Sequence, residues 1–159
     1  MNIPKILSVV ILSLCASQAI SETALTVTGK DASGATEVLQ YEIDDLKALD
    51  QVEFETVNDF VNKPTRFSGP LLRDVLGSLA ISEDTKLTLT ALNNFHTEIP
   101  IADALNYDVI VAMEKEGAPM SIRNNGPLWI IYPVSDHPEL QAQIYNNRSI
   151  WQLVDIEVE

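Results

Sequence analysis

Cysteine is almost missing from this sequence. The single residue, Cys15, falls in an N-terminal segment expected to be removed. The remaining chain then has no disulfide, no thiol nucleophile and no thiolate metal ligand. Histidine is nearly as scarce: His96 and His137 are the only two, and they lie in separate segments without ligand spacing. Positive charge is also in short supply, with 10 Lys and Arg against 23 Asp and Glu, a net charge of -13. That balance excludes nucleic acid as a partner and argues against charge-driven adhesion to anionic membranes. It suits solubility. Any anionic ligand would need a local basic pocket, and Arg66, Arg73, Arg123 and Arg148 are the only arginines. No Gly-x-Ser-x-Gly elbow, His-Glu-x-x-His pair or glycine-rich phosphate loop occurs, so no standard hydrolase or nucleotide site is indicated.

The one long apolar run, Ile6 to Cys15, is too short to cross a bilayer comfortably. Lys5 precedes it and Ser17-Gln18-Ala19 places small residues where a signal peptidase reads. Residues 1–19 are expected to be a cleaved signal peptide, and residues 20–159 one exported domain, located in the periplasm and not inserted in the membrane. Losing Lys5 takes the charge from -13 to -14. A lipobox ending at Cys15 is the alternative, against which stands Leu14 where a small residue is wanted.

What is present is a succession of short alternating runs. Leu25 to Thr28 and Glu37 to Ile43 read as a hairpin around the turn at Asp31, Ser33 and Gly34. Asp44-Asp45 caps a short helix through Leu49. Val52, Phe54 and Thr56 line one face of a third strand. Residues 58–65 read as a loop, in which Pro64 disfavours a helix. Pro70 opens a helix carrying Leu72, Val75, Leu76 and Leu79. Strands are expected over 86–92, 107–113 and 150–159, a helix over 137–146, and an exposed turn about Gly117. Many strands with few short helices, outside strict βαβ alternation, indicate an α+β domain with a mixed, mainly antiparallel sheet.

Two stretches hold candidate binding residues. Arg123-Asn124-Asn125-Gly126-Pro127 is a polar, basic turn feeding the apolar strand 128–132, which Pro133 stops. Arg123 there can hold a carbonyl or anion; Trp129 and Tyr132 can stack on a ring or simply fill the core. Asn93-Asn94-Phe95-His96 is a polar-aromatic loop at a strand end. Its amides suit a heterocycle edge and Phe95 its face, but the same residues also make an ordinary turn.

Gly126-Pro127-Leu128-Trp129-Ile130-Ile131-Tyr132-Pro133 resembles the "G-x-P-L-R, strand, Pro" signature of the sulfite-oxidase-type molybdopterin-binding domain. Arg66 to Leu76, reading RFSGPLLRDVL, is similar to that family's "R-F-x-G-x-x-L-x-D-[LV]-L" segment, and Trp151 to Glu157 resembles its last strand. The resemblance implies a fold that cradles a pyranopterin cofactor, with a molybdenum-binding cysteine on the loop before the R-F-x-G segment. Here that loop holds Thr56 as the matching position, and a hydroxyl cannot replace a soft thiolate. The family's arginine after G-x-P-[LV] falls at Trp129, and a histidine of some members falls at Asn125.

These departures suggest a pocket that accepts a pterin ring without metal. In this they resemble short exported proteins of the same fold that bind free pterins and act on the periplasmic part of an inner-membrane signalling protein, often one that makes or degrades cyclic di-GMP. By that resemblance the chain is a pterin-binding regulator and not an enzyme. Asn93, Asn94 and Glu98 would meet the ring edge, Trp129 or Phe95 its face, and Arg123 its carbonyl, with Thr56, His96, Asn125 and Tyr132 as further candidates. A molybdopterin-dependent oxidoreductase and a ligand-free interaction module stay open as alternatives.

Overall fold

A computed structural model describes residues 22–159; the expected signal segment lies outside the described residues. Eleven strands and four short α-helices are present among them. Alternation explains the first sheet. β1 (Leu25–Lys30), β2 (Thr36–Tyr41), β5 (Lys86–Ala91), β6 (His96–Pro100) and β11 (Leu153–Val158) lie in the order β2-β1-β11-β5-β6. Leu25, Val27, Leu87, Leu89, Leu153 and Ile156 face the core, while Thr26, Thr28, Thr88, Thr90 and Glu157 face the other way. All pairings are antiparallel except β1 with β11, which run parallel. The fold is therefore α+β with mixed, mainly antiparallel sheets.

A second sheet holds β3 (Gln51–Asn58), β4 (Val61–Pro70), β8 (Glu114–Lys115) and β9 (Ala118–Pro119). Here the expected loop over 58–65 is corrected: it is a hairpin tip followed directly by strand β4. Pro64 is accommodated because the β3–β4 register shifts between Thr56 and Asn58, an irregularity where a missing N–H costs no ladder bond. The helix expected from Pro70 is shorter than read. Gly69 and Pro70 close β4, and only Leu72–Val75 forms α2. Gly69 is there for space, since a Cβ would strike the Val111 carbonyl.

β7 (Ile110–Ala112) and β10 (Trp129–Ile131) form a two-stranded septum, buried on both faces. Val111 and Ile130 face the large aliphatic core, which also takes in Leu72, Val75 and Leu76. Ile110, Ala112, Trp129 and Ile131 face a smaller cluster with Phe67, Leu71 and Met120. Helix α1 (Ile43–Ala48) starts at Glu42, whose N–H donates to the Asp45 carboxylate at 2.8 Å. α3 (Ile101–Asn106) follows β6 directly. The helix expected over 137–146 is instead broken into a single 3-10 turn, Pro138–Gln141, and α4 (Gln143–Arg148), with Ala142 extended between them. No helix among the described residues is long and apolar enough to cross a membrane.

Candidate functional site

Antiparallel pairing of β5 and β6 brings Ala91 and Thr97 to one end of the core face of the first sheet. The tight turn between these strands rests on Asn94, whose φ of 64° is left-handed, and on Asn93 Oδ1 accepting the Phe95 N–H at 3.1 Å. Opposite stands the C-terminal half of α4 with the chain that leaves it. The β3–β4 hairpin tip closes the third side with Phe60. Together they enclose a cleft of about 510 Å³ lined by Phe60, Asn93, Phe95, Asn146, Asn147 and Trp151, with Ala91, Thr97, Ser149 and Ile150 behind. That is the size of a small-molecule pocket. No lining residue carries a charge.

Three amides face this space, and each has its carbonyl oxygen engaged by the protein. Asn93 Oδ1 accepts from Phe95, Asn146 Oδ1 takes the Asp59 N–H at 3.3 Å, and Asn147 Oδ1 takes Gln143 Nε2 at 3.2 Å. The amide N–H groups remain as donors toward a ligand. Aromatic rings form the other wall. Phe60 meets Trp151 edge-on at 4.8 Å between centroids, and both lean on Trp129. Phe95 and Trp151 stay partly exposed, so their faces are open to a planar guest.

The sequence candidates divide by geometry. Asn93 and Phe95 line the cleft, and Asn94 shapes its turn. His96 and Glu98 pair with Thr90 and Thr88, so strand alternation sends both to the opposite face, where Glu98 lies 3.8 Å from Lys86. Arg123 is exposed on a 3-10 turn, Ile122–Asn124. Asn125 closes that turn at φ 70°, and its carbonyl accepts the Gln152 N–H. Trp129 is fully buried; its indole N–H donates to the Ser149 carbonyl at 3.1 Å and Phe67 packs edge-on against it. It braces the cleft wall from behind. Phe60, Asn146, Asn147 and Trp151 are lining residues that the sequence reading passed over. The adjacent amides followed by a tryptophan in Asn146-Asn147-Arg148-Ser149-Ile150-Trp151 were the available signal.

Tyr132 points to the other side of β10, into a buried polar network. Its hydroxyl donates to Asp103 Oδ2 at 2.8 Å, and Arg148 Nη1 donates to the same oxygen at 2.8 Å. Burial, then the Asp103 carboxylate, raise the Tyr132 hydroxyl far above its ordinary range, so it serves as a neutral donor at all physiological pH. Arg148 also sits over the Tyr145 ring, 5.4 Å from its centroid. Its charge is thereby consumed inside the fold, and α4 is tied to α3 and β10.

A second cleft of about 320 Å³ lies across the hairpin tip. Val57, Asn58, Asp59, Val134, Leu140 and Gln141 line it, with Asn146 and Ser149 shared with the first. Thr56 is fully buried beside it, its hydroxyl oxygen accepting the Ser135 N–H at 3.3 Å.

Residues 16–135 match the family model described as oxidoreductase molybdopterin binding domain. The chain belongs to this family. None of the curated proteins matches it. The matched range of the molybdopterin-binding domain ends before α4, so the wall formed by Asn146 to Trp151 lies beyond it. The family's cofactor fits these residues poorly. Thr56, the position that the resemblance sets against the molybdenum-binding thiolate, is a buried hydroxyl, and no group of three or more His, Cys, Asp or Glu side chains among the described residues is placed to hold a metal. A cofactor phosphate would find no cation lining either cleft; the single charge there is the Asp59 carboxylate.

Proposed function

We propose that this member of the molybdopterin-binding domain family is a non-catalytic binder of a free pterin. It works in the periplasm after cleavage of residues 1–19, and reports ligand state to the periplasmic part of an inner-membrane signalling protein, with a cyclic di-GMP cyclase or phosphodiesterase as the favoured partner. One observation carries this reading: the larger cleft pairs aromatic faces with amide donors and has no charged lining residue. A pterin presents a flat face and a carbonyl-and-ring-nitrogen edge. Stacking on Phe95, Phe60 or Trp151 contributes about 1 kcal/mol per aromatic contact beyond area burial. The Asn93, Asn146 and Asn147 amides supply donors to the edge. The hairpin tip and the β5–β6 turn both border the cleft, so an occupied cleft orders surface that a partner can read, provided the partner prefers one state.

Calorimetric titration of the purified protein with reduced and oxidised pterins, with metal analysis of the same sample, tests this. Submicromolar binding without molybdenum is expected. Stoichiometric molybdenum without free-pterin binding would overturn the reading in favour of an oxidoreductase.

A further inference from the structure

Among the described residues the two larger sheets are bounded by β3, β2, β6 and β9, and β3 is the longest of these, with 8 residues against 6, 5 and 2. The far side of β4 fixes which way its backbone faces. The Ser68 carbonyl accepts the Met113 N–H and the Arg66 carbonyl accepts the Glu116 N–H, both at 2.8 Å, so Ser68 and Arg66 turn their polar backbone groups toward β8. Such groups alternate sides along a strand. Glu53 and Glu55 stand opposite Ser68 and Arg66, and therefore turn their N–H and C=O groups away from β4. No backbone group among the described residues meets them there. The side chains alternate as well. Glu53 and Glu55 are exposed on the outer face, while Val52 and Phe54 lean half-buried on the smaller cluster with Phe67 and Trp129. Glu53 also lines a third cleft, of about 290 Å³, where α1 meets that outer face. Ser68 and Glu114 lie in it beside Glu53, with Lys47, Gln51 and Met113 around them. The two cations nearby are already engaged: Lys47 lies 3.1 Å from Asp44, and Arg66 lies 3.9 Å from Glu53 in an exposed, weak pair.

We propose that the free edge of β3 docks an extended segment of a partner protein in which basic and apolar residues alternate, added as an antiparallel strand. The residues of that segment opposite Glu53 and Glu55 exchange backbone hydrogen bonds with them. Their side chains then project onto the outer face, where Lys or Arg meets the two carboxylates. A long basic side chain beside Glu53 reaches the cleft that Glu114 completes. The residues between fall on the inner face next to Val52 and Phe54, and apolar side chains there extend the cover over the smaller cluster. Charge selects this occupant over a second copy of the chain. Pairing β3 with itself would set Glu53 and Glu55 against the same glutamates of the copy, and like charges directly opposite destabilise a ladder. A basic segment is instead drawn in by a chain of net charge -13. The inference is independent of what the larger cleft holds.

Calorimetry on the purified protein with capped peptides of the length of β3 tests this. The probe alternates arginine with valine. One derivative is methylated on the arginine amide nitrogens, which face β3, and another on the valine amide nitrogens, which face away. A further peptide alternates glutamate with valine. The unmethylated arginine peptide and its valine-methylated form are expected to bind alike, and the arginine-methylated and glutamate peptides at least tenfold more weakly. Glu53→Gln combined with Glu55→Gln should cost the arginine peptide at least tenfold with the denaturation midpoint unchanged, and Glu53→Lys combined with Glu55→Lys should transfer binding to the glutamate peptide. Equal affinity for the two methylated forms would overturn strand addition. Equal affinity for the arginine and glutamate peptides, or no loss in the glutamine variant, would overturn recognition by charge at this edge. No binding of the arginine peptide, or a dimer in sedimentation that the peptide leaves intact and the lysine variant abolishes, would overturn the proposal as a whole.

Discussion

The septum of β7 and β10 divides two apolar regions that solve the same packing problem differently. On one side the aliphatic core is sealed: Leu25, Leu72, Leu87, Leu89, Ile130 and Ile156 have no exposed surface. On the other, Trp129 is as deeply buried, but the rings that cover it, Phe60 and Trp151, are each more than a third exposed. The first region stabilises by excluding water from aliphatic surface. The second is left with aromatic edges and faces at the surface, and there the larger cleft opens. In this fold the sealed core and the open cleft lie beyond opposite faces of the same two strands.

The contrast can be broken at its hinge. Arg148→Ala should have the largest effect, about 3 kcal/mol of lost stability by chemical denaturation, because it strands the buried Asp103 carboxylate with Tyr132 alone. A loss under about 1 kcal/mol would mean that α4 is held by packing only. Leu89→Ala, in the sealed region, should cost about 3 kcal/mol through its cavity. Phe60→Ala, in the open region, should cost about 1 kcal/mol, since its ring is partly solvated already; comparable losses for the two would erase the distinction. Phe95→Ala sharpens it further. The ring is 55% exposed, so thermal stability should stay within about 0.5 kcal/mol, while pterin affinity in the same calorimetric titration falls by about threefold to tenfold.

The smallest effect concerns pH. Partial burial on the outer face of the five-stranded sheet raises the Asp155 carboxyl above its ordinary range. A carboxyl with a raised folded-state value favours folding most below the unfolded value of about 3.9, and that contribution disappears as pH rises through the folded value. Asp155→Asn should therefore gain on the natural protein in denaturation midpoint between acidic and neutral pH. A constant difference across that range would show that the burial has no electrostatic cost.

Alternation was enough to read most strands, because a one-sided sheet writes its buried face into every second residue. The same rule, carried further, separates Asn93 and Phe95 from His96 and Glu98: register with β5 turns the last two away from the cleft, and register cannot be seen in one strand. Trp129 and Tyr132 look equivalent in the sequence, three residues apart in one apolar run, yet they project to opposite sides of β10 into different clusters. The hairpin tip was obscured by Pro64, whose usual meaning in a strand was overruled by the register shift beside it. The wall from Asn146 to Trp151 was missed because its residues gain meaning only when α4 is folded against β5 and β6.

The parallel pairing of β1 with β11 has a consequence for how the chain comes to be folded. β11 lies at the middle of the sheet, between β1 and β5, though it follows both hairpins in the chain. Until residues 153–158 leave the ribosome, the sheet can exist only as two separate hairpins, each with an unpaired inner edge. Such long-range closure is slow, since loop entropy must be overcome before the contacts reward it.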